Sequence, residues 1–90
     1  MKIKKGFKLK TVSDRQTIVA DRRIHKNFNS VIILNEIAVF LWQLVAEREV
    51  SQREMSEFLE REFKMSRLSA LSNTNVFIKT MKENGIIEDE

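Results

Sequence analysis

Of the residue types that carry enzymatic chemistry, this sequence holds one histidine, no cysteine and thirteen carboxylates. None of them stands in a reactive pattern. His25 sits among Arg22, Arg23 and Lys26, whose positive charge opposes both a protonated imidazole and a bound cation, so it reads as a surface histidine. Glu54, Glu57 and Glu60 recur every three residues and form an acidic stripe on a helix. Without His or Cys beside it, such a stripe is a solvated face, not a metal site. Ser51 and Ser66 have no base at any motif spacing, and helix capping explains both. Gly6 and Gly85 each stand alone, so no loop cradles a phosphate. The expectation is a non-catalytic protein without cofactor or metal, acting by contact.

The elements that would make such contacts are legible around Leu34-Asn35-Glu36. Ser30 to Leu34 is a short uncharged run rich in β-branched residues, as in a buried or partner-seeking strand. Asn35 can cap a helix with its side-chain oxygen, and Glu36 suits the positive end of the helix dipole. From Ile37 to Ala46 only Gln43 is polar. A helix so apolar has to be covered on nearly every side.

Ninety residues allow one domain over 1–90, with 1–4 and 88–90 expected to be flexible ends. The absence of cysteine fits a reducing cytoplasm. The longest apolar run, Val31 to Ala46, is interrupted by Asn35, Glu36 and Gln43, which argues against a membrane span. Net charge is +3, unevenly spread: residues 1–30 carry nine Lys/Arg against two Asp, a balance of +7, and residues 31–90 seven against eleven, a balance of −4. A basic N-terminal part invites an anionic partner, either nucleic acid or an acidic peptide.

Phe7, Leu9 and Thr11 alternate with Lys8, Lys10 and Val12, a period of two that predicts a half-buried strand. Ser13-Asp14-Arg15 reads as a turn, Gln16 to Ala20 as the second strand, and Ser30 to Leu34 as the third. Helices follow over about 35–46, after the capping box Ser51-Gln52-Arg53-Glu54, and from Ser66 to Asn84. Gly85 is the stop, and Ile86-Ile87 pack back. The Ser/Asn/Thr-rich portion from Ser69 to Asn75 has weak helix propensity and favours a late or mobile start to the third helix. The fold class is α+β: a winged-helix-like domain with a three-stranded antiparallel sheet followed by three helices.

Such a sheet has two edges, and exposed edges are normally guarded by charge. Lys2, Lys4, Lys5, Lys8 and Lys10 guard the first strand, whereas Ser30, Val31, Ile32, Ile33 and Leu34 carry no guard. Such an edge is either covered by a helix of the chain or built to accept a partner's strand. The third helix offers Leu71, Thr74, Ile78 and Met81 on one face for the core. Val76, Phe77 and Thr80 are turned away to wall a groove.

Leu34-Asn35-Glu36 followed by Ala38 and Trp42 resembles the L-N-x-x-A-x-x-[IL]-W signature of PqqD-like proteins, also called RiPP recognition elements. Phe77-Ile78, Met81 and Gly85-Ile86-Ile87 resemble the family's F-L-x-x-L-x-x-x-G-L-[IL] ending. The chain departs from the family where Glu47-Arg48-Glu49 replaces a glycine after the first helix and where Asn73-Thr74 replaces Asp-Val. The resemblance implies binding of the leader segment of a ribosomally made precursor peptide as an added strand. The leader is then presented to a modifying enzyme such as a radical SAM enzyme, cyclodehydratase or leader peptidase. Carried over by position, Ser30 to Leu34 supply main-chain hydrogen bonds and Val76, Phe77 and Thr80 the pocket. Charge adds Lys79 and Lys26 as partners for acidic leader residues. On this reading Phe77→Ala weakens leader binding and leaves the fold intact.

Two other readings compete. Winged-helix geometry also serves nucleic-acid binding, but from Ser66 to Asn84 the third helix offers only Arg67, Lys79 and Lys82 as cations, and Glu83 and Glu88 to Glu90 flank its end. An acidic flank repels phosphates. A structural subunit of a larger complex would explain the apolar first helix but needs a permanent partner.

Overall fold

A computed structural model describes residues 1–88. The elements run β1 (Lys2–Ile3), β2 (Phe7–Val12), β3 (Arg15–Ala20), β4 (Ile32–Leu34), α1 (Glu36–Glu47), α2 (Gln52–Glu62), α3 (Arg67–Glu83) and β5 (Ile87–Glu88). Ser13 and Asp14 have φ of 50° and 64°, the positive pair that lets a two-residue turn match the twist of its strands. Arg15 therefore opens β3 opposite Val12 and does not belong to the turn.

The sheet is antiparallel in the order β2-β3-β4. Its register pairs Leu9 with Ile18 and Ile18 with Ile32, and on the opposite face Lys10 with Thr17 and Thr17 with Ile33. Alternation thus sends Phe7, Leu9, Ile18, Ile32 and Leu34 toward the helices. Lys8, Lys10, Thr17, Val19 and Ile33 form the outer face. The expected three-stranded sheet followed by three helices is the architecture observed.

β4 is shorter than the sequence predicts. Ser30 and Val31 lie outside it, because Ser30 Oγ donates to Asn84 Oδ1 at 3.0 Å, tethering this segment to the end of α3. Val31 is 79 % exposed.

Local capping sets the helix starts. Asn35 Oδ1 accepts from the Ala38 amide at 2.9 Å. Ser51 and Glu54 complete the capping box, each side chain accepting from the other's amide at 3.1 and 3.0 Å. Ser66 Oγ accepts from the Ser69 amide, so α3 begins at Arg67 rather than late. Burial of Ala70, Thr74, Phe77, Ile78 and Met81 along one stripe outweighs the weak propensity of the polar residues between them. At the far end Gly85, with φ of 67°, lets the amides of Gly85 and Ile86 turn back to the carbonyls of Lys82 and Met81.

The core joins Ile18 and Leu34 of the sheet to Leu41, Trp42, Met55, Leu59, Met81 and Ile86. α1 is covered by its own chain: Leu41, Trp42, Leu44 and Val45 are buried and Ile37 to Phe40 half-buried, while Gln43, Ala46 and Glu47 face out. Residues 1–4, expected to be flexible, instead carry a ladder in which Lys2 pairs with Glu88 and Ile3 with Ile87. The Lys4 amide donates to the Ile86 carbonyl at 2.8 Å. The rest of the expected flexible tail, Asp89 and Glu90, lies outside the described residues. No helix among those residues is long and apolar enough to cross a membrane.

Candidate functional site

β4 pairs with β3 on one side; on its other side, among the described residues, no strand is hydrogen-bonded to it. Facing that edge across a groove of about 160 Å³ is one side of α3. The groove takes Ile32, Ile33 and Leu34 from β4, Asn73, Val76, Phe77, Thr80 and Met81 from α3, and Ile37, Ala38 and Leu41 from α1. Helical periodicity explains the α3 set, since positions 73, 76, 77 and 80 fall on one face. α1 forms the floor because Asn35 starts it immediately after β4.

Of the residues singled out from the sequence, Ile32, Ile33, Leu34, Val76, Phe77 and Thr80 all line this groove. They differ in how available they are. Val76 is 63 % exposed, whereas Phe77 is 4 % exposed and belongs to the core; Ile33 borders the groove from β4 while its side chain stands on the outer face of the sheet. Phe77 is therefore a buried wall, not a side chain turned away from the core, and the expectation that Phe77→Ala spares the fold is corrected. Ser30 and Val31 do not line the groove; Ser30 is held by Asn84 at the end of α3. Lys79 is exposed and also outside the lining, because it lies about 60° or more around α3 from Val76, Thr80 and Asn73. Lys26 lies with Ser30 and Asn84 around a separate polar cleft.

Sequence reasoning did not assign Asn73, Ile37 or Leu41 to the groove. Asn73 had a signal, being three residues before Val76 on the same helical face. Its Nδ2 donates to the Ser69 carbonyl at 2.9 Å, leaving Oδ1 without a donor among the described residues. Ile37 and Leu41 gave none, since every apolar residue of α1 is an equal candidate for the core.

His25 has a structural task. Its ring stacks on Phe7 with centroids 4.1 Å apart, and Nε2 lies 2.7 Å from the Lys5 carbonyl, to which it donates. A Cβ on Gly6 would meet the ring at 3.0 Å, and Gly6 has φ of 98°. Asp21 is held below the usual carboxylate range by Arg23, first through its guanidinium and then its amide. The capping amide and hydroxyl of Ser51 lower Glu54 in the same way. Neither group faces the groove. The groove's chemistry is thus shape, apolar surface and main-chain hydrogen bonding.

No curated protein matches the sequence. Among solved structures, TbiB1 in complex with the TbiA(beta) leader peptide superposes with a TM-score of 0.76. The match covers 100 % of this chain and 98 % of that one at 14 % identity, a likeness of fold. The family model of PqqD, coenzyme PQQ synthesis protein D, matches residues 14–87, which span β3, the free-edged β4, all three helices and the Gly85 stop. The chain belongs to the PqqD family.

Proposed function

We propose that this protein binds the leader region of a ribosomally synthesised precursor peptide as an added β-strand and presents it to a modifying enzyme, without itself catalysing a reaction. The observation that carries the reading is the juxtaposition of the unpaired edge of β4 with the apolar groove against α3. An extended peptide along that edge gains main-chain hydrogen bonds, and its alternate side chains fall into the groove. Ile32, Ile33 and Leu34 contribute the edge; Val76, Thr80 and the wall formed by Phe77 contribute the pocket. Ser30 and Val31 extend the path of the peptide beyond β4. Lys79, on the rim of α3, and Lys26 meet acidic leader residues that run past the groove. The fold neighbour captured with a leader peptide supports the same reading.

The test is an NMR titration of the labelled protein with the leader of the precursor encoded in its gene neighbourhood and, separately, with duplex DNA. Leader-specific shifts in Ile32–Leu34 and in Asn73, Val76 and Thr80 are expected. Shifts with DNA alone, centred on Lys2–Lys10 and Arg22–Lys26, would refute the reading in favour of nucleic-acid binding.

A further inference from the structure

The outer face of the sheet carries a pattern that leader binding in the groove does not use. Register places Lys8 opposite Val19, Lys10 opposite Thr17, and Thr17 opposite Ile33. The face therefore mixes the cations Lys8, Lys10 and Arg15 of β2 and β3 with the apolar side chains of Val12, Val19 and Ile33. Lys8, Lys10 and Arg15 are exposed, and none is in a salt bridge among the described residues. The carboxylates nearest in sequence are Asp14 in the hairpin turn and Asp21, which is bonded to Arg23 at 3.1 Å. The apolar side is open as well: Val12 is 45 %, Ile33 47 % and Val31 79 % exposed. Val31 borders a concavity of about 350 Å³ shared with Thr17, Val19 and Arg22. Edge lysines alone would be a guard against aggregation. Cations interleaved with exposed apolar side chains combine desolvatable area with charge, as protein–protein interfaces do.

From this juxtaposition we infer that the outer face of β2-β3-β4 docks the modifying enzyme, through an enzyme surface that carries carboxylates among apolar side chains. Charge complementarity selects that chemistry: the face presents Lys8, Lys10 and Arg15, and the register sets no carboxylate opposite any of them. The inference rests on the proposed leader binding and deepens it. A leader strand added at β4 extends this same sheet, so every second leader side chain would stand beside Ile33 on the outer face. The enzyme then meets a surface built jointly by protein and leader, and the two affinities are reciprocally coupled.

The experiment uses the full chain, the leader peptide and the purified modifying enzyme encoded in the same gene neighbourhood. Leader affinity is read by fluorescence anisotropy and enzyme affinity by biolayer interferometry, with and without saturating leader. Lys8→Glu/Lys10→Glu is expected to weaken enzyme binding about tenfold or more at low salt, the gap narrowing as ionic strength rises, with leader affinity unchanged. Saturating leader is expected to tighten enzyme binding to the unaltered protein. Arg15→Glu, on the neighbouring strand, should act in the same direction. Enzyme affinity unaffected by these reversals would overturn the docking face while leaving leader binding intact. Capture of duplex DNA by Lys8 and Lys10, with no enzyme binding, would overturn it in favour of nucleic acid. Failure of the unaltered protein to bind leader would overturn the functional proposal itself.

Discussion

Val76→Ala separates the groove from the core in one substitution. Val76 lines the groove yet is 63 % exposed, so nearly two thirds of its surface is available to a bound peptide. Truncation to alanine removes two carbons, each contributing about 0.8 kcal/mol when fully buried. Scaled by the exposed fraction, the loss in binding is about 1 kcal/mol, or about fivefold in Kd. The fold should hardly notice, since exposed positions away from caps and cavities change stability by no more than about 0.5 kcal/mol. Val76→Asp should weaken leader binding more than about tenfold, because it also asks a charge to enter an apolar groove. Fluorescence anisotropy with labelled leader, beside a urea melt of each variant, measures both quantities. Leader affinity unchanged in both variants would refute the placement of the peptide against α3.

The adjacent residue makes the contrast. Phe77 is 4 % exposed and packed in the core, so Phe77→Ala should cost about 3–5 kcal/mol of stability. That is a large share of the roughly 5–15 kcal/mol that a domain possesses. Its effect on binding would be inseparable from loss of the fold.

Thr74 is fully buried and its Oγ1 has no hydrogen-bond partner among the described residues. Thr74→Val should therefore stabilise by about 1–3 kcal/mol, visible as a rise in Tm; an unchanged or lower Tm would show that the hydroxyl is satisfied. Glu54 is held below its ordinary range by Ser51, so its stabilising contribution is present above that range and is lost as pH falls through its lowered value. Glu54→Gln keeps the capping geometry without the charge, and its stability should fall less steeply than the native protein's on acidification. Parallel pH profiles would refute this. Gly6→Ala should destabilise by about 1–3 kcal/mol because of its backbone angle and the nearby His25 ring. Gly85→Ala meets open space and should incur only the backbone cost, about 1–2 kcal/mol; equal losses at both sites would show that the ring yields.

What the sequence conveys is what a few consecutive residues decide. Asn35, Ser51, Ser66 and Gly85 each act within four residues of themselves, and each behaves as its type predicts. The alternation in β2 and β3 is local in the same sense. The misreadings come from distance and geometry. The bond between Ser30 and Asn84 joins residues 54 apart and ends β4's reach at Ile32. The ladder between β1 and β5 spans nearly the whole chain. Phe77 shares one helical quadrant with both groove and core, and only packing decides which claims more of it. Lys79 is sequentially beside the groove residues but turned off their face.

If a leader adds to β4 as proposed, the shortness of that strand bears on how leaders are told apart. Because successive residues of a strand direct their main-chain groups to opposite sides, three residues offer an added strand only about one or two residues' worth of outward amides and carbonyls. At about 0.5–1.5 kcal/mol for each hydrogen bond, the edge alone falls well short of the roughly 8 kcal/mol of micromolar binding. Apolar anchors contribute about 1.5–3 kcal/mol each when fully buried, so the groove must supply most of the affinity. Main-chain bonds are blind to sequence, and side chains entering the space between β4 and Val76 are not. On the proposed mode of binding, discrimination between leaders resides in the α3 wall, and residues along it should alter leader choice more than any change to β4 that preserves its backbone.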